Sequence, residues 1–296
     1  MSSQWPNLQS LELIVAVADE GSIGAGARKV GMAQPNASKA IVELEAQLGT
    51  ELFQRSPRGA RPTTAGLSLA EHARELLTAA HYFTTWAHTL NGDEQHQLRV
   101  GASMTIAETL LPAWLSELKR QVPAVCVEVD VLNSAQIIDQ VQRGNLQLGF
   151  VETPHVPVRL NAQIVQEDEL VVAISPTHKW ADRLGKISLA ELAATPLVVR
   201  EAGSGTREAL DEVLDGLEVA PPAQVLSSNA AVRVAVSSGA GPAALSELAL
   251  REQLASGELM QVPFHGQGIS RPLTAVWSGP KKLTGIAARL VAVAAT

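Results

Sequence analysis

Apolar positions near the N-terminus recur at helical spacing. Leu8, Leu11, Ile14, Val15 and Ala18 share one face and predict a first helix from about Leu8 to Ala18. Gly21 ends that region, and Ser22 is placed to cap the next helix, which turns Ile23, Ala27 and Val30 inward. Gly31 is the turn residue. Pro35 falls in the first turn of a third helix, about Gln34–Gln47, where its missing N–H costs little. Ile41, Leu44 and Leu48 form the buried stripe of that helix, and Asn36, Ser38 and Lys39 fall away from it. A basic loop, Arg55-Ser56-Pro57-Arg58-Gly59-Ala60-Arg61, follows. Helix, tight turn, helix and basic loop together predict a winged helix-turn-helix, a module that presents one helix to a DNA groove.

A long helix opens at Thr63-Thr64-Ala65-Gly66 and runs to about Leu90. Leu69, Ala73, Leu76, Ala80, Phe83, Ala87 and Leu90 form a heptad seam held for three heptads. Such a seam needs a partner. Packing on its own domain is one answer. A homodimer is the better one, because the preceding module is too small to cover that length. Asn91-Gly92-Asp93 then breaks the helix and marks a hinge.

From Leu98 onward, short strands alternate with helices. Strands are expected at Leu98–Ala102, around Val125–Val131, at Leu148–Val151, Glu169–Ser175, Leu197–Arg200, Gln224–Ser227 and Arg271–Trp277. Helices are expected over about 105–121, interrupted near Pro112, and after Ser134 and Ser188. This alternation implies parallel sheet with helices on both faces, and its length implies two subdomains.

Composition places these elements in a water-soluble protein. At 296 residues one core is less suitable than two or three, and 46% of residues are hydrophobic. No apolar run approaches the ~20 residues of a membrane span, and the first residues lack the pattern of a secretion signal. The single cysteine excludes an internal disulfide and multi-cysteine metal clusters. A cytoplasmic protein without cofactor or metal is expected. The net charge of −7 runs against DNA binding, but its distribution matters more. Residues 1–66 carry six Lys/Arg and six Asp/Glu, whereas positions 53–66 hold three arginines and no acid. Phosphate binding is therefore local to the wing.

At the level of residues, the chain resembles the LysR-type transcriptional regulators over essentially its full length. The N-terminal signature is carried by Gly21-Ser22, Ala27, Gln34-Pro35, Ser38, Ile41, Leu44-Glu45, Leu48-Gly49, Leu52-Phe53, Arg55 and Thr63 through Gly66. Arg99-Val100-Gly101-Ala102-Ser103, Leu110-Leu111-Pro112 and Gly144-Asn145-Leu146-Gln147-Leu148-Gly149 resemble landmarks of the family's effector domain. The resemblance implies a periplasmic-binding-protein-like effector domain of two α/β lobes. It also implies a homotetramer that binds double-stranded promoter DNA, with RNA polymerase as a further partner. The domains are then 1–66 (DNA binding), 67–91 (linker and dimerisation helix) and 92–296 (effector domain). Lobe I is about 92–165 and 267–296, and lobe II about 166–266. Three departures stand out. Gly26 replaces a usual Ala and should loosen its helix by about 1 kcal/mol. Ala33 replaces a capping Ser or Thr, at roughly 0.5–2 kcal/mol. Pro62 replaces a common Leu at the wing.

Gln34 suits a bidentate contact to adenine, or a phosphate contact, from the start of the recognition helix. Pro35, Asn36 and Ser38 lie beside it, and Lys39 suits a phosphate. Arg55, Arg58 and Arg61 would hold backbone or enter the minor groove. Two such modules on a dimer imply an inverted-repeat site. In a two-lobed α/β domain, ligands sit between lobes at the carboxyl ends of strands. Those ends carry Ser103, Thr105, Asn133, Ser134, Glu152, the run from Arg200 to Thr206 with Ser204, and the run from Ser227 to Asn229 with Ser228. Hydroxyls at helix starts favour a small anionic effector, a carboxylate or an inorganic oxyanion. Ser103, Thr105 and Ser134 also read as helix caps. Glu152 suits either a partly cationic feature of the ligand or a structural hydrogen bond.

Other motifs carry less. Cys126 reads as a buried inert thiol. His72, His81 and His88 read as a solvated or dimer-packed helix face. Gly203-Ser204-Gly205-Thr206 lacks the lysine of a P-loop. A solute-binding receptor or an enzyme on the same α/β scaffold are the alternative functions. The N-terminal module opposes the first, and no nucleophile–base set supports the second.

Overall fold

The computed structural model describes residues 7–56, 59–89, 97–183, 185–266 and 268–296, without the side chains of 55, 56, 81, 82 and 85–89. The chain divides into two compact units, Met1–Gly92 and Asp93–Thr296. Arg58, Leu90 and the Asn91-Gly92-Asp93 hinge fall outside the described residues.

Asn7 starts the first unit by accepting the Gln9 N–H at 2.9 Å, and α1 (Leu8–Glu20) follows. Gly21 stops it in the left-handed conformation, φ 64°. Ser22 caps α2 (Ile23–Lys29). Gly31 turns the chain into α3 (Gln34–Leu48), whose N-cap Ala33 provides no side-chain hydrogen bond, as its methyl dictates. The wing is a hairpin of β1 (Phe53–Ser56) and β2 (Gly59–Pro62). The Glu45 carboxylate joins wing to recognition helix, accepting the Leu52 and Phe53 N–H groups at 2.8 and 3.2 Å. Thr63 opens α4 (Thr64–Thr89) by accepting the Gly66 N–H at 3.0 Å. Leu13, Ile14, Val17, Ala27, Ala37, Ile41, Leu44 and Leu52 close one core.

Three expectations in this unit change. Leu48 is 49% exposed and leaves the stripe to Ala37, Ile41 and Leu44. Gly26 is a packing residue: a Cβ there would lie 2.6 Å from Val17 Cγ2 and 2.8 Å from the Val17 N. The α1–α2 approach requires its absence, which offsets the poorer helix propensity. The α4 seam divides: Ala73 is buried in its own unit, whereas Leu76 and Phe83 are exposed.

The second unit runs β3 (Gln97–Ala102), α5 (Met104–Thr109), α6 (Leu111–Gln121), β4 (Cys126–Val131), α7 (Ser134–Gln142), β5 (Leu148–Val151) and β6 (Asn161–Ile174). It continues with α8 (Leu189–Ala193), β7 (Val198–Arg200), α9 (Gly205–Val213), β8 (Gln224–Leu226), α10 (Asn229–Ser237), β9 (Ala243–Ser246), α11 (Glu247–Ser256), β10 (Met260–Val262), β11 (Ile269–Trp277) and α12 (Gly285–Ala294). The order β10-β6-β11-β5-β3-β4, with β9 on β6, makes one mixed sheet. Among the named strands of the described residues, β4-β3-β5 and the separate β7-β8 pair are parallel. The parallel-sheet expectation is therefore corrected: β6 and β11 run antiparallel and pass between two lobes. Lobe I packs Val100, Ile106, Trp114, Leu118, Phe150 and Leu290 in its core. Lobe II packs Leu170, Val172, Ile174, Trp180, Leu192 and Leu210.

Cys126 is exposed, not buried, because β4 is an edge strand paired only with β3. Among the described residues, no helix is long and apolar enough to cross a membrane.

Candidate functional site

The helix-turn-helix presents α3. Gln34, Pro35, Asn36 and Lys39 are exposed at its start, and Ser38 is half-buried. Gln34 Oε1 lies 3.2 Å from where a Gly24 Cβ would stand, so this side chain rests over α2. Lys39 lies 3.6 Å from Glu43, a surface pair with little net worth that leaves the ammonium available to phosphate. Arg61 is exposed on β2, opposite Gln54. Arg55 is placed on β1 by its backbone alone. Two residues not anticipated share this surface. Val42 is 51% exposed on α3, two turns beyond Pro35, and suits a thymine methyl. Arg28 is exposed on α2, beside Gln34.

In the second unit the strand ends converge on a residue that the strand pattern did not single out. Arg271 is fully buried on β11, directly opposite Asp168 of β6 in the antiparallel register. Its Nε and Nη2 donate to Asp168 Oδ2 at 2.8 and 2.7 Å. Nη1 donates to Thr206 Oγ1 at 2.8 Å, and Nη2 to Thr105 Oγ1 at 3.3 Å. Nη2 also stands 2.5 Å from Glu152 Oε2. That contact lies off the hydrogen-bond direction, so it is charge pairing, and Oε2 accepts no directed hydrogen bond. Glu152 Oε1 accepts the Thr105 N–H at 2.9 Å. Ser246 completes the far side by donating to Asp168 Oδ1 at 2.8 Å.

Glu152 is 2% exposed. Burial pushes its carboxyl up, but the Arg271 guanidinium, the Ser103 and Thr105 hydroxyls and the Thr105 N–H together outweigh burial and hold it below the ordinary carboxylate range. The Ser103 hydroxyl is itself 2% exposed and makes no hydrogen bond with directed geometry.

A second arginine forms a neighbouring cluster. Arg200 is 3% exposed and pairs with Glu201 at 2.9 Å. Its Nη1 donates to Asn229 Oδ1 at 2.7 Å, and Asn229 Nδ2 passes the chain on to Thr105 Oγ1 and Glu108 Oε2 at 3.3 and 3.4 Å. The lobes meet closely across these groups. A Cβ at Gly205 would stand 2.5 Å from the Glu152 carbonyl, and the Ala135 N–H donates to the Gly203 carbonyl at 3.0 Å.

The anticipated residues thus separate. Ser103, Thr105, Glu152 and Thr206 come together at Arg271. Ser134 stands one step behind, accepting the Glu152 N–H at 3.3 Å. Arg200 joins through Asn229. Asn133 is spent on a reciprocal capping box with Gln136, and Ser228 on the Ala231 N–H at 3.1 Å. Ser204 is buried at the head of α9 without capping it. Thr105 and Ser103 do not act as side-chain caps of α5. Arg271, Asp168 and Glu108 were missed, whereas Asn229 was anticipated and joins the cluster. The available signal was a pair of charges at the starts of two apolar strand segments, which has no meaning before the register is known.

Set against known proteins, residues 8–67 match the description "Bacterial regulatory helix-turn-helix protein, lysR family", and residues 91–296 match "LysR substrate binding domain". The uncharacterized HTH-type transcriptional regulator Rv2282c of Mycobacterium tuberculosis is 40% identical over 289 residues, covering 94% of this chain and 93% of its own. Among solved structures, ArgP from Mycobacterium tuberculosis has a TM-score of 0.64 at 18% identity, over 98% of this chain and 96% of that one. The regulatory domain of CcmR from Synechocystis PCC6803, in complex with 2-PG, has a TM-score of 0.60 at 27% identity, over 67% of this chain and 95% of that one. The chain belongs to the LysR family of transcriptional regulators, with a DNA-binding helix-turn-helix and an effector-binding domain of two α/β lobes.

Proposed function

We propose that this regulator reads an inverted-repeat promoter site with residues 1–66, dimerises through 67–91, and senses a small anion with 92–296. Gln34, Asn36 and Ser38 face the bases, while Lys39, Arg55, Arg58 and Arg61 hold phosphate. The exposed Leu76 and Phe83 support pairing of α4 with a second copy. A homotetramer acting on RNA polymerase in the cytoplasm is the assembly that fits this division.

The observation that carries the ligand class is the donor set around Arg271. The Arg271 guanidinium donates to the Thr105 and Thr206 hydroxyls, whose own protons stay available to an acceptor, and the Ser103 hydroxyl and the Thr105 N–H lie at the Glu152 carboxylate beside it. Their acceptors in the chain are mainly carboxylates, so the set is suited to a carboxylate or an inorganic oxyanion. Closure on such a ligand would change lobe separation, and a ligand that favours one separation shifts the population of DNA-binding states.

Two measurements test this reading. Affinity for the DNA upstream of the chain's own gene should exceed that for scrambled DNA and fall steeply between about 50 and 200 mM salt. Equal affinity for both DNAs would remove the promoter function. A thermal-shift screen of small carboxylates and oxyanions should raise the melting temperature with at least one. Stabilisation by neutral or cationic metabolites alone would remove the anion.

A further inference from the structure

The Arg271 site already holds an anion, and that anion is part of the chain. Glu152 Oε1 takes the Thr105 N–H at 2.9 Å, and Oε2 faces Arg271 at 2.5 Å beside the Ser103 hydroxyl. These are the contacts that a ligand carboxylate would make. Asp168 supplies a second carboxylate on the same guanidinium, so one buried cation faces two buried anions. A third anion would add charge to a place already net negative and closed to water, which electrostatics strongly disfavours. A ligand anion therefore cannot simply join this cluster; it has to exchange with a carboxylate of the chain. Asp168 is the firmer of the two. It receives two hydrogen bonds from Arg271 and one from Ser246. Glu152 Oε2 receives none with directed geometry, and the adjacent buried Ser103 hydroxyl has no directed partner.

We infer that Glu152 is a built-in surrogate ligand: its carboxylate holds the two lobes together in place of an effector, and an anionic effector acts by displacing it. This deepens the anion-sensing reading and rests on it. Gly205 and Thr206 of lobe II seat against the Glu152 backbone and Arg271, so an occupied site and closed lobes go together. Glu152 thereby determines specificity. It excludes anions that bind Arg271 no better than a carboxylate already held at high local concentration.

The test is chemical rescue. Glu152→Ala removes CH2–COO−, which is acetate. Full-length E152A is melted in sodium acetate, sodium chloride and acetamide at matched concentration, beside the wild type. At acetate ten times its Kd, E152A should melt about 3–6 °C higher than in chloride, with no comparable shift in acetamide or in the wild type. If E152A is insoluble in chloride, its soluble recovery during purification in acetate becomes the reading, with the same comparison. Equal behaviour in acetate and chloride overturns the inference, and so does equal rescue by acetamide, which would make the effect shape filling. Promoter binding by the wild type reports separately on the regulatory reading. Failed rescue with promoter binding intact removes the surrogate alone.

Discussion

Arg271→Met is the most informative single change in the effector domain. Methionine approximates the length of the arginine stem and keeps the strand apolar, so the perturbation is chiefly the loss of the guanidinium. Arg271 is fully buried, and removing it leaves Asp168 and Glu152 as buried carboxylates without a counter-charge. The Thr206 and Thr105 hydroxyls lose a donor as well. Breaking a buried ion pair from one side costs about 3–5 kcal/mol, most of it the unpaired charge. For a unit the size of Asp93–Thr296 this lowers the melting temperature by roughly 6–20 °C.

The pH dependence discriminates this cause from a packing defect. In the wild type, Glu152 is held below its ordinary value, so its stabilisation is present above the unfolded pKa and is lost as pH falls through the folded one. In R271M the largest lowering influence is gone while burial and the Ser103 and Thr105 hydrogen bonds remain, which moves the folded pKa up from its wild-type position. Relative to the wild type, the variant's penalty is then fully present above both folded pKa values and shrinks as pH falls through them. Denaturant unfolding at pH 5 and pH 8, read from the buried Trp114, Trp180 and Trp277, should show the larger penalty at pH 8. A penalty below ~1 kcal/mol, or one equal at both pH values, would refute the charge argument.

Gln34→Ala should weaken specific DNA binding about 5- to 150-fold while leaving the melting temperature unchanged, because the exposed side chain contributes to readout and not to the core; unchanged discrimination between promoter and scrambled DNA in a gel-shift assay would contradict this. Leu76→Asp with Phe83→Asp should give smaller assemblies by light scattering and weaker promoter binding, since both side chains are exposed on α4; intact oligomers would place the dimer contact elsewhere. Gly26→Ala gains about 1 kcal/mol of helix propensity but forces a methyl onto the Val17 backbone at 2.8 Å. Overpacking costs about 1–3 kcal/mol, and backbone atoms cannot rotate aside, so a lower melting temperature by circular dichroism is expected and a higher one would refute the packing role.

The helical elements were legible because their signals are local. Ser22, Gly21, Gly31 and Pro35 sit where caps and turns require them, and the apolar spacing of α1 and α3 needs no tertiary information. Strands were less legible where pairing makes them. The apolar half of β6 was visible from Glu169, but its first half, Asn161 to Glu167, is largely polar and extended only because β11 pairs along it. The short β9 and β10 are strands for the same reason. Strand direction could not be read at all: alternation of strands and helices suggested a parallel sheet, whereas two strands that pass between lobes must lie antiparallel to each other.

The site was legible in its hydroxyls and in Glu152 and Arg200, and illegible in the Arg271–Asp168 pair that organises it. Ser103, Thr105 and Thr206 lie where strands give way to helices, and that position alone marks them. The pairing of Arg271 with Asp168 depends on a register that joins residues about a hundred positions apart, and a one-residue slip would point them to opposite faces. This difference changes the functional argument. Hydroxyls at helix starts suggest an open place for an anion, while the added charges make a closed place in which one cation already serves two carboxylates. Electrostatics in a buried site does not allow the ligand to be considered apart from these charges, because every anion admitted must be matched by a carboxylate moved or neutralised. On the surrogate reading, recognition is therefore an exchange of carboxylates at Arg271, with the lobe contacts of Gly205 and Thr206 remade around the effector. If the proposed effector favours one separation of the lobes, that exchange is the step at which it would bias the DNA-binding states.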